Sequence, residues 1–346
     1  MNFIFLSPNY PDNYWNFCDR LKKNGVNVLG VGDAPYENLP QDLRESMTEY
    51  FRIDSLHDYD QLYRAVAFFS YKYGKIDWLE SMNPYWLSQE ARLRTDFNIT
   101  TGLKHYPASA YDDETLAKNQ NAEGIICSYD AVSDSHGEPL FESMTVWPET
   151  SLTEDHEDTG IVYYTCPGMP VKLRTLGRKT LKALDAKSRF VHFVFKRLTR
   201  TQEGYGEEGD YIAIDTDLCP AGGYIPDMMN FAHSVDVYKI WADMITTDRR
   251  FLDDRLQTAS ELSHHTGETE EDCFSVHASR KEGPVYVHPE SRIADKFHDV
   301  IVMRTELPES AWQHIGRYVY TLRLRSQHEV DTFIRFLHET KEDEKV

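Results

Sequence analysis

Predicted strands and helices alternate along the first hundred residues, and this order constrains the fold more than any other feature of the sequence. The predicted strands are apolar or aromatic-rich runs at 3–6, 26–31, 50–53 and 76–79. The predicted helices lie at 13–24, at 59–73 and from just after the fourth strand to about 96. Because a strand that follows a crossover helix pairs parallel to the preceding strand, the order predicts a parallel, Rossmann-like α/β domain over residues 1–100.

Ligands of open parallel sheets bind beyond the carboxyl ends of the strands. The loop at 7–12, which contains Asn9, and Glu80 lie at two such ends, so we expect them to line a crevice. Gly30 and Gly32 do not indicate a dinucleotide site. No helix opens directly after them with the third glycine that the dinucleotide fingerprint requires.

The rest of the chain lacks that alternation. Residues 101–123 are polar, show no sustained period and are predicted to be a linker, whereas 124–346 are predicted to form an α+β domain. Its predicted strands lie at 124–132, 139–146, 189–198, 211–218, 273–279, 285–288, 300–306 and 318–325. Predicted helices lie at 170–186, at about 227–244 and after a capping box formed by Ser326 and Glu329, and acidic loops are predicted at 149–160 and 248–272.

The charge balance excludes one class of partner. The chain has 37 Lys and Arg against 57 Asp and Glu, a formal net charge of −20. A protein this acidic repels phosphate backbones, so no nucleic-acid partner is expected.

No apolar run approaches the roughly 20 residues of a membrane span, and the first residues lack the basic lead of a secretory signal. The five cysteines form no C-x-x-C pair, so we expect a soluble, cytoplasmic protein with reduced thiols.

Two carboxylates in the strand 211–218 are the first candidate site. Strict alternation places Tyr211, Ala213, Asp215 and Asp217 on one face of that strand. Two carboxylates in a largely apolar strand need a counter-charge, which Mg²⁺ or Mn²⁺ could supply. The alternative is that both lie at a wet face and pair with Arg or Lys.

Two further segments allow a binding or a structural interpretation. Gly222 and Gly223 form a turn before a predicted helix, where bare amides and the helix dipole could bind a phosphate.

Residues 172–200 contain ten basic side chains and one acid, Asp185. This stretch is either a helix face paired with nearby acidic loops or a patch for phosphates or a carboxylate substrate. His277 and His288 lack the firm spacing of zinc ligands and are taken as ordinary sheet residues.

Several segments of the sequence resemble the ATP-grasp superfamily, specifically bacterial proteins of the carboxylate–amine ligase or carbamoyl-phosphate-synthase-like type. The matching segments span nearly the whole chain and lie at 3–10, 13–17, 74–81, 92–99, 128–130 and 226–232. The last of them, Pro-Asp-Met-Met-Asn-Phe-Ala, is the most specific. The resemblance implies a pre-ATP-grasp domain followed by an ATP-grasp domain, with ATP and Mg²⁺ as cofactors and an acyl phosphate intermediate. It also implies that Asn9, Glu80 and Asp130 bind a small carboxylate or amino acid.

The sequence departs from the family pattern in three places. The lobe that carries the glycine-rich loop, the phosphate lysine and the adenine hinge should lie at about 104–123, but this segment is far too short. Val194 stands where the family has a metal-binding Glu. The family run Glu-x-Asn-x-Arg-Pro appears here as 215–220, so Asp215 and Asp217 are the implied metal ligands and Cys219 replaces an Arg.

These departures leave three hypotheses. The first is a degenerate ATP-grasp protein that does not turn over ATP alone and acts as a binding or scaffolding partner, perhaps of an intact paralogue. The second is an active ATP- and Mg-dependent ligase that a partner subunit, or a segment missing here, completes. The third is a small-molecule sensor that keeps the crevice of the first domain. A homo-oligomer is compatible with each of them.

Overall fold

The computed structural model describes residues 1–102, 110–148, 160–249, 272–313 and 315–341. Its first sheet is built from β1 (Asn2–Leu6), β2 (Asn27–Gly32), β3 (Glu49–Arg52) and β4 (Trp78–Ser81). The four strands are all parallel, in the order β3-β2-β1-β4, as the strand–helix order predicts. The helices of this part are α1 (Trp15–Lys23), α2 (Gln41–Ser46), α3 (Tyr59–Tyr73) and α4 (Leu87–Asp96).

The glycines of β2 are explained by packing. A Cβ at Gly30 would lie 2.4 Å from the Met47 sulfur, and one at Gly32 would lie 2.7 Å from the Tyr50 hydroxyl. Both glycines therefore allow the segment at 47–50 to approach the sheet closely.

A second, nine-stranded sheet forms the rest of the molecule. Its strands are β5 (Gly124–Ser133), β6 (Pro139–Ser143), β7 (Thr145–Trp147), β8 (Val162–Thr165), β9 (Arg189–Leu198), β10 (Tyr211–Asp217), β11 (Phe274–Ser279), β12 (Ile301–Glu306) and β13 (Tyr318–Leu324). They are antiparallel in the order β10-β9-β5-β7-β8-β11-β13-β12, and β6 also pairs with β5. The helices of this part are α5 (Asp113–Gln120), α6 (Val171–Ala183), α7 (Ile225–His233), α8 (Val237–Thr247), α9 (Glu290–Phe297), α10 (Glu309–Trp312) and α11 (Gln327–His338).

The two faces of the large sheet differ in what covers them. One face forms an apolar core with α6 and α11, in which Tyr129 and Phe193 stack 6.1 Å apart. The other face packs at one end against α1 and α8, where Phe17 lies 6.3 Å from Phe190 and 5.1 Å from Trp241. The rest of this second face is lined by polar and aromatic side chains and is called the polar face below.

Three predicted elements are wrong. The single helix at 227–244 is two helices, because Ser234 adopts a left-handed conformation (φ 51°) that ends α7, and the Asp236 side chain then caps α8. Residues 285–288 form no strand; they contribute an isolated bridge between Tyr286 and Thr340. The predicted linker at 101–123 contains α5, which begins where the Asp112 carboxylate accepts the Thr115 amide.

The predicted acidic loops at 149–160 and 248–272 fall almost wholly outside the described residues. The capping box of the last helix is present, since Ser326 Oγ accepts the Glu329 amide and the Glu329 carboxylate accepts the Arg325 amide. Within the described ranges, no helix has both the length and the apolar character needed to cross a membrane.

Gly177→Ala is expected to destabilise the protein. Gly177 lies in α6, and a Cβ there would be 2.3 Å from the ring of Tyr129, which is fully buried and cannot move aside. Overpacking of this kind costs about 1–3 kcal/mol, more than the helix propensity that alanine adds. Urea denaturation measures the effect, with Gly168→Ala as control because no atom lies within 4 Å of a Cβ there. Equal stability of Gly177→Ala and the parent would contradict the packing described for α6.

Candidate functional site

A β-bulge in β10 decides where the two candidate carboxylates point. Ala213 pairs with Phe195, but Asp215 pairs with Val194, so Ile214 is an extra residue in this strand. The predicted shared face of Tyr211, Ala213, Asp215 and Asp217 is therefore wrong. Because the bulge reverses the alternation, Ala213 is buried in the apolar core and the two aspartates lie on the polar face.

Four ionisable side chains lie close together on the polar face, and three of them form a row across its strands. Asp130 of β5 lies opposite His192 of β9, and His192 lies opposite Asp217 of β10. Asp215 is two positions from Asp217 on the same strand. We call these four residues, Asp130, His192, Asp215 and Asp217, the acid–imidazole row.

The centre of the row is a buried aspartate–histidine pair. The Asp130 side chain is fully buried, and its Oδ1 lies 2.6 Å from His192 Nδ1. Its second oxygen accepts the Ser128 hydroxyl, and Ser128 Oγ in turn accepts the Thr145 amide at 3.1 Å. Both oxygens of Asp130 are thus satisfied within the sheet, and they hold the His192 ring in one orientation.

The pKa values of the row reflect burial and mutual charge. Burial of His192 lowers its pKa, but the charge and hydrogen bond of Asp130, with Asp217 and Asp215 adding to them, raise it above the usual value. Burial, and then the charge of Asp215, raise the pKa of Asp217 to about 6, although His192 opposes the shift. His192 is the basic group of the row, and it lies between two carboxylates, Asp130 and Asp217.

Aromatic side chains continue the polar face beside the row. The Trp147 ring lies 6.2 Å from that of His192 and 6.0 Å from that of Tyr163. His277 lies between Tyr163 and Tyr224, at 5.0 and 5.4 Å, and donates to or accepts from Thr321 at 2.8 Å. Burial lowers the pKa of His277 to about 4, so this histidine is neutral at physiological pH. Trp147, Tyr163 and Tyr224 are each only partly buried.

The turn with the two candidate phosphate-binding glycines is held by two side chains from near the start of the chain. The Tyr14 hydroxyl donates to Ala221 O at 3.0 Å, and Asn13 Nδ2 donates to Gly223 O at 2.9 Å and to Asp227 at 2.6 Å. Gly222 and Gly223 are exposed and have no neighbour within 4 Å of a Cβ position. The turn is open to solvent; its role in phosphate binding stays a prediction.

Glu80 lies in a buried ion-pair cluster and not at an open crevice. It is 1% exposed, lies 3.3 Å from Arg189 Nη1 and accepts Trp78 Nε1 at 2.8 Å. Glu90 pairs with the same guanidinium at 2.7 and 3.1 Å. Arg189 Nε also donates to Leu218 O, just before the turn. Burial raises the pKa of Glu80 to about 7, against the lowering effect of Arg189.

The structure does not bring the three predicted substrate-binding residues together. Glu80 contacts Arg189 at the end of β9, whereas Asp130 pairs with His192 three residues further along. Asn9 lies beside Gly32 of the first sheet, where its Oδ1 is buried and finds no hydrogen-bond partner among the described residues. Of the three, only Asp130 belongs to the acid–imidazole row.

The basic stretch at 172–200 is largely paired with acids. Glu142 accepts Arg178 in two hydrogen bonds and lies 3.7 Å from Arg174. Lys172 pairs with Asp210 at 2.9 Å. Lys196 is 9% exposed, and its ammonium donates to Gln120 O and Ala122 O at 2.8 and 2.7 Å. These contacts support the structural interpretation of the stretch.

The polar face offers few ligands to a metal ion. In the parts of the chain that the structure describes, no group of three or more His, Cys, Asp or Glu side chains is arranged to hold a metal ion. Asp215 and Asp217 are the only carboxylates on β10, and the paired position on β9 is the apolar Val194. The magnesium site therefore stays a prediction with two ligands.

Sequence reasoning missed the partners of two basic residues of β9, Arg189 and His192. His192 and Arg189 balance Asp130 and Glu90, which lie 62 and 99 residues away in the chain. The available signal was that both are ionisable residues within the largely apolar run at 189–195.

Comparison with known proteins identifies the fold. No family model and no curated protein sequence matches the chain. Among solved structures, an L-amino acid ligase from Bacillus licheniformis is similar with a TM-score of 0.63, 12% identity and coverage of 97% of this chain and 96% of that chain. A phosphoribosylglycinamide synthetase from Anaerococcus prevotii is similar with a TM-score of 0.62, 10% identity and 97% coverage of both chains.

A third similar structure contains a bound nucleotide. It is the biotin carboxylase domain dimer of Hydrogenobacter thermophilus 2-oxoglutarate carboxylase in complex with MgADP, with a TM-score of 0.55, 8% identity and coverage of 96% and 88%. At these sequence identities, the similarity to the solved structures shows a common fold and nothing more. The chain has the ATP-grasp fold, as the resemblance of its sequence implies.

Arg189→Met is expected to destabilise the protein by about 3–5 kcal/mol. Removing the guanidinium leaves Glu80 and Glu90 buried without a counter-charge. Guanidinium denaturation measures the loss, and Arg317→Met is the control because its ion pair with Glu306 is half exposed and should contribute little. The double variant Arg189→Met/Glu90→Gln should recover part of the loss. A change of under about 1 kcal/mol in Arg189→Met would contradict the buried cluster.

The stability that His192 contributes is expected to depend on pH. Its folded-state pKa is raised above the unfolded value of about 6.5, so the contribution is fully present below that pH and is lost as the pH rises through the folded pKa. The stability difference between the parent and His192→Gln should therefore shrink with rising pH. Urea denaturation at a series of pH values measures this, with the exposed His298→Gln as control. A difference that grows with pH would show that the imidazole is neutral in the fold.

Proposed function

We propose that this chain is a ligand-binding protein of carboxylate–amine ligase ancestry that does not turn over ATP by itself. The observation that carries the proposal is that three basic side chains of β9 are engaged by partners within the fold. His192 is committed to Asp130, Lys196 to two backbone carbonyls, and Arg189 to Glu80 and Glu90. An enzyme that transfers phosphoryl groups needs cations aimed at the phosphates, and these three cations are already engaged.

The short segment that connects the two sheets supports the same proposal. Between α4 and β5, the described residues contain one helix, α5, and this helix packs at the edge of β10, where Asn119 Nδ2 donates to Ala213 O at 2.9 Å. We propose the division into a Rossmann-like domain at 1–100, a short connection at 101–123 and an ATP-grasp domain at 124–346 that has lost its nucleotide-clamping lobe. A nucleotide on the polar face would then lack the second lobe that excludes water.

The residues present do not fit ATP with magnesium. Val194 offers no ligand, Cys219 offers no charge to a phosphate, and burial with the charge of Asp217 raises the pKa of that thiol. Asp215 and Asp217 remain as two carboxylates of a site that would need more ligands. We therefore derive no catalytic step through ATP.

An active ligase completed by a partner is the second candidate. One observation favours it: the charged neighbours that shift the pKa of Asp217 are Asp215 and His192, with no Lys or Arg among them. Two carboxylates of this kind could accept a cation when a partner, or a second copy of this chain, closes the site. ADP release in the presence of a carboxylate and an amine distinguishes this candidate from the first, and Asp217→Ala should abolish that release.

The isolated chain is expected to bind Mg·ATP more weakly than 1 mM. Isothermal titration calorimetry of the full chain with ATP and excess Mg²⁺ measures this, and a coupled ADP assay on the same sample measures turnover. Sub-millimolar binding, or ADP release above that of a heat-treated control, would overturn the proposed function. The variant Lys196→Met, which frees the carbonyls of Gln120 and Ala122, should change stability but not nucleotide binding.

A further inference from the structure

The two edges of the nine-stranded sheet differ in what covers them. At one edge, α5 packs against β10, and Asn119 Nδ2 donates to Ala213 O at 2.9 Å. The other edge is β12, and among the described residues no strand pairs with its outer side. An uncovered edge strand presents unpaired N–H and C=O groups, and these groups are a template for a further strand.

The register of β12 shows which residues carry the outward backbone groups. Leu307 N donates to Arg317 O at 2.8 Å, and this pair continues the ladder between β12 and β13. In an antiparallel ladder, hydrogen-bonded pairs recur at every second residue, so residues 303, 305 and 307 direct their N–H and C=O groups at β13. The backbone groups of Arg304 and Glu306 therefore point away from the sheet.

The side chains of β12 are exposed as in a strand that lacks a neighbour. Met303 and Thr305 are only partly buried, and Arg304 and Glu306 are exposed. In the adjacent strand β13, by contrast, residues 319–322 are all buried. A strand added beside β12 would therefore bury side-chain surface as well as satisfy the backbone groups.

Arg304 and Glu306 carry opposite charges two positions apart, on the same face of β12. The Arg304 guanidinium lies 3.8 Å from the centroid of the Tyr318 ring, and none of the carboxylates among the described residues forms an ion pair with it. Glu306 binds Arg317 through Oε1, which leaves Oε2 for a second donor. Each of the two side chains can thus pair with an opposite charge on another molecule.

These charges select one register in which β12 can pair with a second copy of itself. A twofold axis at residue 304 would place two arginines opposite each other, and an axis at residue 306 would place two glutamates opposite each other. Like charges directly opposite in a ladder are destabilising. An axis at Thr305 instead places Arg304 of each copy opposite Glu306 of the other copy, and the outward backbone groups of both residues then face each other.

We propose that two copies of this chain associate by antiparallel pairing of their β12 strands about a twofold axis at Thr305. The pairing joins the two large sheets into one sheet, with an Arg304–Glu306 ion pair on each side of the axis. Because the interface is small, the dimer has a Kd of about 1–100 µM. The inference goes beyond the proposed function and does not depend on it, since β12 is the edge opposite β10 and the acid–imidazole row is left as it is.

Sedimentation velocity of the full-length chain measures the association over about a hundredfold range of concentration that brackets this Kd. The sedimentation coefficient should rise with concentration from that of a monomer to that of a dimer. A chain that stays monomeric over the whole range would overturn the inference, and it would show that the charges of β12 keep other strands away from this edge.

Charge variants test the register. Arg304→Glu and Glu306→Lys should each weaken self-association at least about tenfold, because the twofold axis repeats each like-charge contact. An equimolar mixture of the two variants should dimerise again, because opposite charges then face each other at both sites. The control Arg200→Glu makes the same change of charge in the exposed ion pair with Glu123 and should leave the Kd within about twofold.

A crosslink tests the position of the axis. The two Thr305 residues would form a non-hydrogen-bonded pair with their Cα atoms about 4.5 Å apart, a separation that a disulfide can span. Thr305→Cys should therefore give a covalent dimer when oxidised with diamide and run on a non-reducing gel. The native cysteines are all buried. Val302→Cys is the control, since this residue is exposed on the same strand but would lie about 20 Å from its counterpart.

Far-UV circular dichroism checks that each variant is folded, and recovery of the dimer in the mixture is a result that misfolded variants would not give. The inference is overturned if the mixture does not recover, or if Val302→Cys crosslinks as well as Thr305→Cys. These failures are distinguishable from failure of the proposed function. ATP turnover would refute the proposed function and leave the dimer in place, whereas a monomeric chain would leave the proposed function unaffected.

Discussion

The pairing of Arg189 and His192 of β9 with carboxylates from distant parts of the chain is the interaction on which the rest of the structure depends. At one end of the strand, Arg189 joins Glu80 of β4 and Glu90 of α4 to Leu218, which directly follows β10. Further along, His192 pairs with Asp130 and lies opposite Asp217. Ionised groups that are nearly buried are stable only when they are paired, so each cation fixes the elements that carry its partners.

The same pairing limits what the polar face can bind. The turn at 219–223 is fixed from the first domain by Tyr14 and Asn13 and from the large sheet by Arg189, which binds the preceding carbonyl. In the row beside it, His192 lies between Asp130 and Asp217. These contacts support the proposal that the chain keeps the fold without turning over ATP by itself.

The sequence predicted elements better than it predicted the site. The parallel sheet followed from short apolar runs alternating with amphipathic segments, and β9 was predicted at its exact bounds because its apolar run is long. The bulge at Ile214 could not be predicted, because a bulge depends on the register with β9 and not on the residues of β10 alone. The break between α7 and α8 was missed because Ser234 is not a typical residue for a left-handed turn. The partners of Arg189 and His192 were missed because ion pairs between distant segments exist only in the folded chain.

The central claim is that an imidazolium of the chain itself, and not a metal ion, balances the carboxylates of the polar face. Two-dimensional ¹H–¹⁵N NMR of the histidine side chains tests it directly, with the His192 signals assigned by their loss in His192→Gln. The account predicts that both ring nitrogens of His192 carry hydrogen at neutral pH and that excess Mg²⁺ leaves their shifts unchanged. A neutral ring at that pH, or ¹⁵N shifts that move with Mg²⁺, would contradict it.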